Sequence, residues 1–175
     1  PEAPRGDFTH ATELIALVRE LAPAFSVCVA AFPEVHPRSA SRASDRRFLA
    51  RKLAMADCAI TQFFWDADHY FRLVDELDAL GVTTPVIPSL FPVVNLDTAK
   101  RFTSVNGAEW PAWLEDRFVG RTGDPAAVQR IGVEVASEIG QRLLDAGVPG
   151  LHIYTMNRSA SAQQLWSNLG LSARR

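Results

Sequence analysis

A carboxamide beside aromatic side chains is the feature of this sequence best suited to ligand chemistry. Gln62 ends a short β-prone run, and three aromatic residues follow it (Phe63, Phe64 and Trp65). In parallel β/α folds the ligand site lies at the carboxyl ends of the strands, which is where Gln62 falls. An amide that donates and accepts hydrogen bonds, walled by aromatic rings, suits a flat heteroaromatic ligand. The alternative is a buried Gln that pairs with nearby backbone.

A second group of polar residues precedes Gln62 in the sequence, in the loop and helix that follow the first apolar run. His36 directly follows an apolar run, and Asp45, Phe48 and Lys52 then fall at i, i+3 and i+7, along one stripe of a predicted helix. Such a row offers an acceptor for ribityl or ribose hydroxyls and a cation for a diphosphate. The alternative is a pair of solvated charges among the arginines of the same helix, which include Arg46.

The last predicted strand adds two candidates. Arg158 lies in the turn after that strand, where its guanidinium could dock an anionic substrate tail; the alternative is a surface Arg near a helix start. His152 lies within the apolar strand and is predicted to be a packed core residue. The four histidines have no metal-ligand spacing, so we predict no metal site.

Alternating strands and helices must position these residues. Apolar runs predict strands at residues 25–32, 59–63, 85–90 and 151–156. A helix capped by Thr9 precedes them, helices are predicted at residues 41–56, 68–80, 96–105, 112–118 and 125–146, and Ser159 is expected to cap the last helix. This alternation predicts a parallel sheet. Four βα units are half of an eight-stranded barrel, and an open four-stranded α/β domain is the alternative.

Composition restricts the class of protein. The chain has 175 residues, 47% of them hydrophobic, which fits one α/β domain over residues 1–175. A formal charge of -2 provides no basic field for nucleic acid, and no apolar run reaches the ~18 residues that cross a bilayer. Cys28 and Cys58 lie in apolar runs, so we predict two free buried thiols and a cytoplasmic location. Residues 1–7 form a polar leader, and the chain begins at Pro1 instead of Met, from which we expect a processed or partial chain.

Several short motifs occur together in an order that matches one enzyme family. In addition to Asp45 and Lys52, they are VAAFPEVHP at 29–37, ITQFF at 60–64, IP at 87–88, LFP at 90–92, PAW at 111–113, GVPGLH at 147–152, YTMNR at 154–158 and NLG at 168–170. From residue 9 to residue 171 the chain therefore resembles methylenetetrahydrofolate reductase, a flavin-dependent folate enzyme.

The resemblance implies a (β/α)8 TIM barrel, an α/β fold of which this chain holds the second half, with FAD at the carboxyl ends of the strands. It implies reduction of 5,10-methylenetetrahydrofolate to 5-methyltetrahydrofolate, with NADH or NADPH supplying hydride through the flavin. It places nine residues beside FAD: His10, Ala11, Phe32, His36, Ser39, Asp45, Phe48, Arg51 and Lys52.

The resemblance also assigns the substrate side. It implies that Gln62 is the catalytic residue, placed where folate and nicotinamide take turns over the flavin. It implies that Thr98, Phe102 and Arg158 bind substrate together with Gln62, and that Phe102 stacks on the folate. The sequence departs from the family in that Phe32 replaces a common Tyr, Thr98 replaces a common Gln and Ser89 replaces a Gly.

The first four strands of the family's barrel have no counterpart here, and the family's proton-transferring Glu near the first strand is lost with them. We therefore expect the N-terminal half of the barrel as a partner, a homo-oligomer as the assembly, and no activity from this chain alone. Two alternatives are a catalytically silent half-barrel that serves as a binding or assembly module, and another FAD-dependent β/α-barrel oxidoreductase.

Overall fold

The computed structural model describes residues 6–171, so most of the polar leader lies outside the described residues. Within them the elements are α1 (Ala11–Leu21), β1 (Cys28–Ala31), α2 (Arg42–Leu53), β2 (Cys58–Phe63), α3 (Ala67–Asp78), β3 (Val86–Leu90), α4 (Leu96–Val105), α5 (Ala112–Phe118), α6 (Pro125–Asp145), β4 (His152–Ile153) and α7 (Ser159–Asn168). The predicted alternation of strands and helices is confirmed.

All four strands run parallel in the order β1-β2-β3-β4, so neighbours in sequence are neighbours in the sheet. β1, β3 and β4 are shorter than predicted because only residues with a partner across the ladder belong to them, whereas β2 begins one residue earlier than predicted, at Cys58. β1 ends at Ala31, which pairs with Thr61, and Phe32 therefore lies in the following loop. β4 has two residues because only His152 and Ile153 pair with β3, at Ser89 and Leu90.

Polar caps fix where most helices begin. The Ser41 hydroxyl accepts a hydrogen bond from the Ser44 N–H at the start of α2, and the Asn95 side chain accepts one from the Thr98 N–H at the start of α4. α6 begins with a capping Asp124 and with Pro125 at its first position, where the missing N–H costs nothing.

Two predicted caps are wrong by one residue. At α1 the N-cap is His10 and not Thr9, because the Glu13 carboxylate reaches back to the N–H groups of both Thr9 (2.8 Å) and His10 (3.4 Å). At α7 the N-cap is Arg158, and Ser159 is already the first helical residue.

One face of the sheet is buried under helices and the other is open. Along β1, Val29 and Ala31 are buried whereas Cys28 and Ala30 are exposed. β2 shows the same alternation, with Gln62 on the more accessible side. Side chains of a strand alternate between faces, so the accessible residues share one face, which corresponds to the interior of a closed barrel.

The prediction of two free thiols is wrong, because Cys28 and Cys58 form a disulfide. The two cysteines begin β1 and β2, are level in the parallel register and have Cα atoms 4.8 Å apart. This separation lies in the range that disulfides bridge. The cytoplasmic location loses the support it drew from free thiols and stays a prediction.

Across residues 6–171, every helix is too short or too polar to span a lipid bilayer.

Candidate functional site

An open cleft of ≈ 540 Å³ lies at the carboxyl end of β1, between the start of α1 and one side of α2. This volume is in the range of small-molecule and cofactor sites. Eight of the nine residues predicted to lie beside a cofactor line it: His10, Ala11, Phe32, His36, Ser39, Asp45, Phe48 and Lys52. The ninth, Arg51, lies behind Phe48, with its guanidinium carbon 5.9 Å from the centre of the Phe48 ring.

The Asp45 carboxylate is bound on both oxygens although it belongs to the cleft wall. Its Oδ1 accepts hydrogen bonds from the Ser39 hydroxyl (3.0 Å) and, at longer range, from the His36 N–H (3.4 Å). Its Oδ2 accepts one from Arg46 at 2.6 Å. Asp45 is only 7% exposed, so it ties the loop after β1 to α2 besides offering its remaining lone pairs to a ligand.

Lys52 brings a cation to the wall formed by β1. Its Nζ donates to the Ala30 carbonyl at 2.5 Å, and two N–H groups of the ammonium remain. Burial lowers the pKa of Lys52, and the nearby Asp45 carboxylate opposes that shift. An anion arriving in the cleft would meet a positive charge that is partly shielded from water.

Phe48 presents an apolar surface at the mouth of the same cleft. Its side chain is 60% exposed, which is unusual for a large aromatic residue on a helix that packs against the sheet. Phe48 and Lys52 therefore place a ring face and a positive charge one helical turn apart.

Sequence reasoning missed two arginines near this cleft. Arg38 lines it and lies two residues after His36, whose Nδ1 accepts the Arg38 N–H at 3.1 Å. The second is Arg46, one of the arginines among which the alternative interpretation places solvated charges, and its side chain is buried at 3% exposure. The adjacent Arg47 is exposed, and the sequence offers no signal that separates these two neighbours.

Gln62 lies on the open face at the end of β2. Its Oε1 accepts a hydrogen bond from the Tyr154 hydroxyl at 3.1 Å, which leaves the amide N–H groups as donors. Phe63 packs against Phe91, with ring centres 4.8 Å apart, and against Tyr154 at 5.9 Å. The Tyr154 hydroxyl thus holds the carboxamide at the carboxyl ends of β2, β3 and β4, whereas Phe63 and Phe91 are 4% and 5% exposed and belong to the core.

The prediction that Phe63, Phe64 and Trp65 wall this amide is wrong, because all three side chains are buried in the core. Phe64 packs on Tyr70, and the Trp65 Nε1–H donates to the Thr103 hydroxyl at 3.0 Å. The chain turns into α3 directly after β2, which carries these rings away from the open face.

His152 links β4 to β3 through a side-chain contact on the open face. Its Nδ1 lies 3.0 Å from the Ser89 hydroxyl, which also donates to the Thr61 carbonyl at 2.6 Å. Burial lowers the pKa of His152, and its ring meets the Tyr154 ring edge to face at 4.8 Å. His152 is thus hydrogen-bonded and only partly buried on the open face, which differs from the predicted position in the core.

The other predicted substrate residues lie on the same rim of the sheet. Phe102 on α4 is half-buried, and its ring centre is 6.3 Å from that of the buried Phe91. Thr98 lies in the first turn of α4 and Arg158 at the start of α7, so each follows the end of a strand. Arg158 is exposed.

In the part of the chain that the structure describes, the His, Cys, Asp and Glu side chains form no group of three that could hold a metal ion.

Comparison of the sequence with known proteins identifies a matching family and several relatives. A family model described as methylenetetrahydrofolate reductase matches residues 1–170. The chain is 36% identical over 163 residues to the 5,10-methylenetetrahydrofolate reductase of Escherichia coli (strain K12). This alignment covers 93% of this chain and 55% of that protein. It is 34% identical over 165 residues to the probable methylenetetrahydrofolate reductase (NADPH) of Caenorhabditis elegans. That alignment covers 93% of this chain and 25% of that protein. The chain spans about half the length of the curated bacterial relatives it matches.

A solved structure shares the fold. An uncharacterized protein from Clostridium thermocellum that binds two copies of 5-methyl-5,6,7,8-tetrahydrofolic acid has a TM-score of 0.65 to this chain. The match covers 97% of this chain and 64% of that chain at 14% sequence identity, so the likeness concerns the fold alone.

Proposed function

The chain belongs to the methylenetetrahydrofolate reductase family, and its parallel sheet with covering helices is part of a TIM barrel. From this premise we propose that residues 1–175 form one domain, the second half of a flavin-binding (β/α)8 barrel that reduces 5,10-methylenetetrahydrofolate to 5-methyltetrahydrofolate. The observation that supports the proposal best is the cleft at the end of β1, which gathers eight of the nine residues that the resemblance places beside FAD.

The residues of the cleft fit the chemistry of FAD. Lys52 offers a cation for an anionic diphosphate, and Ser39 and Asp45 offer polar groups for hydroxyls. Phe48 offers an exposed ring face for a planar group. FAD, when bound, supplies the hydride chemistry, and the protein supplies its placement and electrostatics.

Gln62 is proposed to receive the folate and the nicotinamide in turn. Its carboxamide oxygen is held by Tyr154, so its N–H groups are free to donate to an acceptor on a heterocycle. The half-buried Phe102 packs near Phe91 and is the proposed ring on which a flat substrate stacks. NADH or NADPH is the proposed reductant, and Thr98 and Arg158 complete the proposed substrate contacts.

The missing half of the barrel is the proposed partner. An open sheet face and unpaired edges are unfavourable unless another element covers them. At the β1 edge, Leu21 is 73% exposed and Phe25 66% exposed, and at the β4 edge Met156 and Trp166 are also exposed. We propose that the first half of the barrel covers these surfaces and that the complete barrel forms a homo-oligomer.

We propose that this chain alone holds FAD weakly and does not turn over. In the family the proton donor lies near the first strand, and general acids of this type contribute typically 10²–10⁴-fold. Residues 1–175 supply one half of the proposed pocket wall, so the positioning of substrate is also lost when they are tested alone.

The test is to purify residues 1–175 alone and together with the first four βα units of a bacterial relative. Flavin absorption and oxidation of NADH or NADPH by methylenetetrahydrofolate are expected only when both halves are present. Turnover by this chain alone, near that of a full-length relative, would contradict the proposal. A paired barrel that binds flavin without folate-dependent reoxidation would favour another flavin oxidoreductase, and a paired barrel without flavin would favour an assembly module.

A further inference from the structure

We propose that Arg46 is a positioning residue for the cleft: it fixes the loop that follows β1, orients the Asp45 carboxylate and is itself held by Glu76 on α3. The inference rests on the proposed function, because it concerns how the cleft is shaped to receive a flavin. Arg46 is 3% exposed, so it acts through the residues around it and not by touching a ligand.

Three successive carbonyl groups of the loop turn towards the Arg46 guanidinium. Its Nη1 donates to the Phe32 carbonyl at 3.1 Å, and its Nη2 donates to the carbonyls of Pro33 (2.8 Å) and Glu34 (3.0 Å). Buried carbonyls that have left the strand ladder need other donors, and here one side chain supplies all three. The backbone path that carries Phe32 into the cleft wall is therefore set by Arg46.

The remaining two donors of Arg46 bind carboxylates on opposite sides. The second Nη1 hydrogen bond goes to Asp45 Oδ2 and the Nε hydrogen bond goes to Glu76 Oε2, both at 2.6 Å. All five N–H groups of the guanidinium are thus used. Because Arg46 occupies Oδ2, Asp45 turns Oδ1 towards Ser39 and His36, both of which line the cleft.

Only an arginine fits this position. A lysine offers three donors from one point and cannot serve two carboxylates and three carbonyls spread around a planar fork. Buried ion pairs of this kind add little net stability compared with apolar packing, whereas rigid support of ligand-contacting groups is what a preformed site requires. The Arg46 network therefore accounts for the shape of the cleft better than for the stability of the fold.

The test uses the complete barrel, with Arg46→Lys and Arg46→Ala as variants and Arg47→Lys as the matched control on the exposed face of the same helix. Flavin dissociation constants are measured by fluorescence titration. We expect Arg46→Lys to raise the constant tenfold or more and Arg47→Lys to leave it unchanged. In Arg46→Ala, added guanidinium ion should partly restore flavin affinity, which a general loss of stability would not allow.

A second readout needs no flavin. Arg38 lies in the loop that Arg46 holds, so trypsin should cut after Arg38 faster in the flavin-free Arg46→Lys protein than in the parent, as followed by mass spectrometry. An unchanged flavin constant in Arg46→Lys would overturn the inference, and so would a loss of affinity that merely tracks the unfolded fraction. If the parent barrel binds no flavin, the proposed function fails, while the change in cleavage after Arg38 still decides whether Arg46 positions the loop.

Discussion

Replacing Gly132 by alanine tests how closely α6 packs against the chain that leaves β3. Gly132 is buried in α6, and a Cβ added there would lie 2.0 Å from the Val93 carbonyl oxygen and 2.7 Å from its carbonyl carbon. A backbone carbonyl cannot swing aside as a side chain can. Ordinary van der Waals contact begins at 3.4 Å, so helix and loop would have to separate by more than about 1 Å.

The size of the effect follows from two opposing terms. Overpacking a core costs about 1–3 kcal/mol, and displacing a 21-residue helix from a rigid backbone contact belongs at the upper end. Replacing Gly by Ala inside a helix returns about 1 kcal/mol of helix propensity. We therefore expect Gly132→Ala to lower the free energy of unfolding by about 2 kcal/mol.

Gly140→Ala is the matched control. It lies on the same helix and gains the same propensity, but its added Cβ would meet the ends of two flexible side chains, Leu90 at 2.9 Å and Leu169 at 3.0 Å. Denaturant unfolding of both variants and the parent, followed by tryptophan fluorescence, measures the difference. Equal stability of the two variants would refute the close approach of α6 to Val93.

Three further outcomes concern the cleft, the substrate and acid stability. In the complete barrel, Lys52→Ala should raise the flavin dissociation constant tenfold or more, since a charge-assisted hydrogen bond contributes about 1.5–3 kcal/mol, and an unchanged constant in a fluorescence titration would remove Lys52 from the site. Gln62→Glu should slow the reoxidation of reduced flavin by methylenetetrahydrofolate in stopped flow, because an ionised carboxylate cannot donate, and equal rates would rule Gln62 out. The N–H of Val27 and the Arg19 side chain lower the pKa of Asp57, so its contribution to stability is present above the unfolded pKa and lost as pH falls through the folded one. Asp57→Asn should therefore flatten the acid limb of a stability–pH curve, and a limb of unchanged slope would contradict that role.

The strand order and the cleft could be predicted because local patterns carry them. Apolar runs separated by helical segments allow few arrangements other than adjacent parallel strands. The helical spacing of Asp45, Phe48 and Lys52 places them on one side of α2, and the motif around His36 places the preceding loop beside it. The resemblance to a known family then joined these patterns into one site.

Other features depend on tertiary packing, which no local pattern shows. Arg46 and Arg47 are identical neighbours, and only the position of the loop after β1 makes one buried and the other exposed. The disulfide depends on the register of β1 against β2, which places Cys28 level with Cys58. Phe64 and Trp65 turn into the core because α3 begins at Ala67, directly behind them.

The disulfide also makes a covalent macrocycle of the cleft wall. Cys28 and Cys58 are 30 residues apart in sequence, and the segment between them holds the loop after β1 and all of α2. Closing a loop of this length removes roughly 3–4 kcal/mol of chain entropy from the unfolded state by the loop-closure relation. A single proteolytic nick after Arg38 would leave the two pieces joined on a non-reducing gel and separate them after reduction. Preparations made with and without a thiol reductant should therefore be treated as two different molecules when flavin binding is compared.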